Sequence, residues 1–141
     1  MSTPPDAFHP PLHHVPASAV SPETAQTSGM RRLAAISESS VGSKRLWMGQ
    51  THVAPSMRSD NHHHGEAETA IYVVSGNPQF VFLDEDTGNE VCIRTAPGDY
   101  VFVPPYTPHR EENLDPNDEA VVVIARSTQE AIVVNLASLQ G

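Results

Sequence analysis

The chain has 141 residues, with 17 acidic against 8 basic side chains and a formal net charge of −9. That length suits one domain with its own core, and an acidic balance without a basic run argues against nucleic acid or an anionic membrane surface as partner. The single cysteine, Cys92, rules out an intrachain disulfide; no apolar run approaches the ~20 residues of a membrane helix and no secretory leader is visible, so a cytoplasmic location is expected.

Residues 1–28 carry six of the 13 prolines. Proline fixes φ and removes a backbone donor, which excludes regular helix and central strand. An extended proline-rich arm is expected over 1–28, disordered or packed on a partner subunit, ahead of a β domain over 29–141. From Met30 the pattern changes. Runs rich in Val, Ile, Phe, Tyr and Thr follow at 31–37, 44–54, 68–75, 79–85, 90–95, 99–104, 119–126 and 131–136. Each is a strand candidate. Turn chemistry separates them, as in Ser75-Gly76-Asn77-Pro78, Asp86-Thr87-Gly88-Asn89, Pro97-Gly98-Asp99 and Asp115-Pro116-Asn117-Asp118. No run has helical period and length. Short strands spaced this way predict an all-β antiparallel sandwich or barrel. Cys92 sits in the alternating run Glu90–Thr95 and is expected as a small buried hydrophobe.

The stretch Asp60-Asn61-His62-His63-His64-Gly65-Glu66-Ala67-Glu68 gathers three histidines and two glutamates. On a strand, alternate residues share a face, so His62 and His64 project together and His63 points away. Two imidazoles can clamp a metal that takes further ligands from elsewhere in the fold. Imidazole with carboxylate suits Fe, Mn, Ni, Co, Cu or Zn better than Ca or Mg. Downstream, Gly98 opens an apolar strand that Pro104 and Pro105 end, and a stiff bend delivers His109.

These two segments resemble the paired motifs of the cupin superfamily. The first motif, G-x5-H-x-H-x3,4-E-x6-G, is matched by His62, His64 and Glu68. The second, G-x5-P-x-G-x2-H-x3-N, is matched by Gly98, Pro104, His109 and Asn113. The resemblance spans about residues 44–126. Three departures stand out. Ser56 replaces the first motif's opening glycine, Tyr106 replaces a glycine of the second, and Gly76 comes one residue late after Glu68. Counting back from Gly76 puts Thr69 in the glutamate's place, so Glu68 reaches a metal only if the chain bulges.

The resemblance implies a double-stranded β-helix, or jelly-roll, cupin barrel with the arm outside it. It implies a divalent transition metal on His62, His64, Glu68 and His109, iron or manganese first, with zinc, nickel and copper compatible. Glu68, when not bound to metal, would serve as general base. The implied activity is non-haem Fe(II)-type dioxygenase chemistry on a small enol, thiol or aromatic substrate. A redox-neutral metal-dependent isomerase or lyase, and a non-catalytic small-molecule binder, are the alternatives. A homodimer is expected, supported by the apolar run Ala131–Leu139. Arg31, Arg45, Arg94, Arg110 and Arg126 are candidates for a substrate carboxylate or phosphate, with none singled out.

Overall fold

The computed structural model describes residues 9–141. Its chain order is β1 (Met30–Ile36), a one-turn helix (Glu38–Val41), β2 (Trp47–Val53), β3 (Met57–Arg58), β4 (His62–His63), β5 (Thr69–Ser75) and β6 (Gln79–Leu83). Then follow β7 (Glu90–Arg94), β8 (Tyr100–Val103), β9 (His109–Asn113), β10 (Ala120–Arg126) and β11 (Val134–Asn135). Two antiparallel sheets result. One runs β1-β2-β10-β5-β8, the other β11-β4-β9-β6-β7, with β3 added onto β9. From β4 to β11 the chain passes repeatedly between the sheets, which is the winding of a double-stranded β-helix.

Alternation decides which side chains enter the barrel. On β5, Thr69, Ile71 and Val73 are buried while Ala70, Tyr72 and Val74 are exposed. On β2, Trp47, Gly49, Thr51 and Val53 are buried. Ile71, Val73, Val103 and Val122 from one sheet meet Phe80 of the other. Each large apolar side chain buried this way contributes about 1.5–3 kcal/mol. A second cluster, Met30, Val53 and Ala120, closes another part of the interior.

All eight apolar runs contain a strand. The strands β3, β4 and β9 have no counterpart among them. Cys92 departs from expectation: it is exposed, on β7 at the edge of its sheet. No described helix is long and apolar enough to cross a membrane.

Of the expected arm, residues 1–8 lie outside the described residues. Residues 21–27 lie along β1 of their own barrel. Ser21 and Ala34 exchange backbone hydrogen bonds of 2.9 and 2.7 Å. The Gln26 amide brackets Arg32, accepting from its N–H and donating to its carbonyl, both at 2.8 Å. The segment therefore covers the otherwise open edge of β1. The apolar run near the C-terminus is also used partly within the chain: Ala131, Ile132 and Val133 line an interior cavity, and Val134 pairs with His63.

Both positions where the sequence lacks a motif glycine keep a glycine-like backbone. Ser56 has φ 54° and Tyr106 φ 59°. Left-handed backbone costs a side-chain-bearing residue about 1–2 kcal/mol. The Ser56 N–H donates to Asp115 O at 2.9 Å and that of Tyr106 to Gly65 O at 2.8 Å, which holds the conformation in place. Ser56→Gly and Tyr106→Gly should each stabilise the protein by up to ~1 kcal/mol, since glycine's greater unfolded-state freedom offsets part of the gain. A urea midpoint that falls in both variants would refute this.

Candidate metal centre

β4 and β9 are neighbours, and His62 lies directly opposite His109. His64 follows two residues on and shares the face of His62. The three ring centroids form a triangle with sides of 4.8, 4.5 and 5.0 Å. His63 points elsewhere: its Nδ1 accepts from the Gly65 N–H at 2.9 Å, and its ring lies 5.7 Å from that of Tyr106.

The Nδ1 atoms of His62, His64 and His109 are each held by a backbone carbonyl, of Asp60 at 2.6 Å, Ile132 at 2.9 Å and Thr107 at 2.9 Å. A carbonyl only accepts, so in each neutral ring Nδ1 carries the proton and Nε2 presents its lone pair. That is the tautomer a metal-binding histidine needs. Nε2 of His109 is buried without a hydrogen-bond partner, an omission that costs about 1–3 kcal/mol unless something fills it. Glu111, two residues along β9, shares the face of His109. Ligand atoms of His62, His64, His109 and Glu111 all lie within 4.8 Å of one another. Three imidazole nitrogens, one of them buried without a partner, and one carboxylate fit a divalent transition metal.

Burial sets the charge states. It depresses His62 and takes His64 down to about 4, so both are neutral near pH 7. Burial opposes the cation at His109 too, but Glu111 outweighs it and raises that histidine. Their closest approach is 3.7 Å, too long for a hydrogen bond, so the attraction is electrostatic. Burial would raise Glu111; His109, with His62 and His64 beyond it, instead brings it down to about 2.

For the metal-free protein the sign of the pH dependence follows. The folded state binds fewer protons at His64 than the unfolded chain between about pH 4 and 6.5, so stability rises with pH across that window. His62 acts in the same sense, and Glu111 adds a further loss below its ordinary 4.5. His109 acts oppositely, above 6.5. Urea midpoints at pH 7 and pH 4.5 should show a loss on acidification on the order of 3 kcal/mol, and His64→Asn should flatten it.

Glu68 does not join this group. It is exposed just before β5, on the side opposite the buried Thr69. Its N–H donates to Ser127 Oγ at 2.9 Å and its carbonyl accepts from the Ser127 N–H at 3.0 Å. The register does slip, between Val121 and Val122 of β10, where Val73 and Ser75 of β5 pair in succession and Val74 is the extra residue. Upstream of that bulge the parity of β5 still turns Thr69 inward. The carboxylate in the cluster comes from Glu111 instead. The alternation that joins His62 to His64 applies equally to His109 and Glu111, and was the available signal.

Beside the cluster lies a cavity of about 530 Å³. Its walls include Thr51, Thr69 and Ile124 from the first sheet, Gln26 and Thr27 from the segment covering β1, and Ile132 from the chain after β10. The volume suits a small molecule.

Comparison with known proteins agrees with this architecture. No curated protein matches the chain in sequence. Among solved structures, the polyketide cyclase RemF from Streptomyces resistomycificus matches with TM-score 0.71 and 21% identity over 91% of this chain and 87% of its own. Oxalate oxidase in complex with the substrate analogue glycolate matches with TM-score 0.68 and 16% identity, over 95% of this chain and 68% of its own. A variant of oxalate decarboxylase from Bacillus subtilis matches with TM-score 0.67 and 22% identity over 81% of this chain, which spans only 30% of that longer protein. Identities this low speak for the fold. The family model described as a cupin domain matches residues 49–125, from β2 through the histidine cluster into β10. With the sheet order and both motifs in place, the chain belongs to the cupin family.

Proposed function

We propose that the protein is a metal-dependent enzyme acting on a small molecule in the cavity, with non-haem iron-type dioxygenase chemistry on an enol, thiol or aromatic substrate. The observation that carries this is the set of three imidazoles with Nδ1 tied to carbonyls and Nε2 turned together beside Glu111. A divalent metal, when bound, supplies Lewis acidity and, as iron(II), electrons for O₂. The chain's own part is to hold His62, His64, His109 and Glu111 in place and to shield them. His62 and His109 are 6% and 3% exposed, while His64 and Glu111 are half-buried and border the cavity from which a substrate would approach. Glu68, on the outer side, is not positioned to move a proton in the cavity.

A redox-neutral reading, isomerisation, cyclisation or lyase chemistry, uses the same ligands. It draws support from the polyketide cyclase, whose structure matches most of both chains. Elemental analysis of protein purified without added metal or chelator, followed by oxygen-electrode assays on enols, thiols and catechols, separates the readings. The first expects bound metal and O₂ uptake that chelation abolishes. Metal-dependent turnover without O₂ uptake supports the second. Chelation without effect on any conversion defeats both.

A further inference from the structure

Two arginines enter the cavity that borders the histidines. Arg32 lies on β1 between the buried Met30 and Ala34 and pairs across to Thr51 of β2. Arg126 ends β10, paired with Trp47 on one side and Thr69 on the other. Arg32, Arg126, Thr51 and Thr69 all line the cavity.

Neutral groups hold both side chains in place. Arg32 Nη1 donates to Thr27 Oγ1 at 2.8 Å and to Ala25 O at 3.4 Å. Arg126 donates from Nε to Thr128 O at 3.0 Å and from Nη2 to Gln129 O at 2.8 Å. Its guanidinium carbon lies 4.0 Å from the centre of the Trp47 ring. Among the described residues neither arginine has a carboxylate within 4.0 Å, whereas Arg58 and Arg110 both do. The cavity's own carboxylates, Asp60 and Glu111, are therefore not paired with them. Two half-buried cations in one small space repel each other. Burial, and then the charge of Arg32, pull Arg126 down to about 10, and burial lowers Arg32 as well, although the charge of Glu111 across the cavity offsets part of that. Such an arrangement is costly until an anion arrives, and a guanidinium fork matches a planar or tetrahedral oxyanion.

We infer that Arg32 and Arg126 form an oxyanion subsite, so that the substrate is a small organic acid whose carboxylate or phosphate end rests on the two guanidiniums while its reacting end faces the histidines. For the reacting end the inference rests on the metal-enzyme reading; the anionic end stands on the arginine pair alone.

Trp47, the only tryptophan in the chain, lies against Arg126 and reports on it. The experiment titrates the protein as purified, and again after chelation and removal of the chelator, with malonate, inorganic phosphate and malonamide. Trp47 fluorescence and calorimetry are the readouts. Malonate or phosphate should give a saturable change in the chelated protein, the tighter of the two identifying the preferred anion. Malonamide, neutral and of the same shape as malonate, should give none. Arg32→Met and Arg126→Met should each weaken the anion by about tenfold or more, roughly one charge-assisted contact. Comparing malonate with malonamide on the unaltered protein decides the matter even if a variant fails to fold. Equal binding of malonamide, no saturation with either anion, or anion binding that needs metal and ignores both arginines would overturn the subsite. An absence of metal by elemental analysis, with malonate still bound, would instead strike only the metal-enzyme reading.

Discussion

Glu111→Ala should cost the protein its metal, and Glu68→Ala should leave metal binding essentially unchanged. Glu111 brings a carboxylate within 4.8 Å of the three histidine ligand atoms, and the surrounding imidazoles keep it ionised down to about pH 2. Removing it deletes a ligand and the only negative charge in the cluster. Loss of an outer partner of a metal ligand typically costs 10–100-fold in affinity, so loss of Glu111 itself should cost on the order of 100-fold or more. Glu68 faces solvent beyond the buried Thr69, and its backbone hydrogen bonds with Ser127 survive the substitution. Calorimetric titration of both metal-free variants with Mn(II) and Zn(II) makes the comparison. Tight binding by Glu111→Ala alongside weak binding by Glu68→Ala would return the carboxylate to the motif position.

The largest stability effect is expected at Asn113, which is 1% exposed. Its amide nitrogen reaches Val53 O at 3.1 Å, Ala54 O at 3.2 Å and Asp118 O at 3.0 Å, tying the end of β2 and the β9–β10 turn to β9. Its Oδ1 accepts from the Asp115 N–H at 3.3 Å. Alanine would leave three carbonyls short of a donor in a buried place, at about 3 kcal/mol in urea denaturation. Asn113→Asp, of equal size, should be worse, since an ionised carboxylate would face those same carbonyl oxygens. If aspartate is tolerated as well as asparagine, shape and not hydrogen bonding explains the position.

The strands legible in the sequence are those whose apolar side chains repeat with period two or run continuously. β5 and β10 are examples, and both are central in their sheet. β9 was not legible. Its five residues, His-Arg-Glu-Glu-Asn, contain no apolar side chain, and its burial is bought by polar partners: Gln79 and Arg110 for Glu112, and backbone carbonyls for Asn113. Local propensity points the wrong way at the strand that carries half of the ligand cluster, as expected where function overrides folding preference. Glu111 was missed for the same reason: the parity that pairs it with His109 becomes a signal only once His109–Asn113 is recognised as a strand. Motif spacing alone favoured Glu68, although the late Gly76 already pointed to Thr69. Conversely, Ser56 and Tyr106 looked like losses from the motif. The fold retained the backbone conformation and accepted its strain.

The edge cover over β1 has a consequence of another kind. Gln26 and Thr27 before the barrel, and Ala131, Ile132 and Val133 after β10, wall the cavity, while the ligand cluster sits on β4, β9 and the residue after β4. Part of the cavity wall and the ligand cluster are thus written in different stretches of chain. The flanking stretches can vary without disturbing the interior ladder, so that side of the cavity can be reshaped while the ligand set stays. One thread limits that freedom: Ile132 O holds His64 Nδ1, so a redesign of that wall must keep a carbonyl in its place.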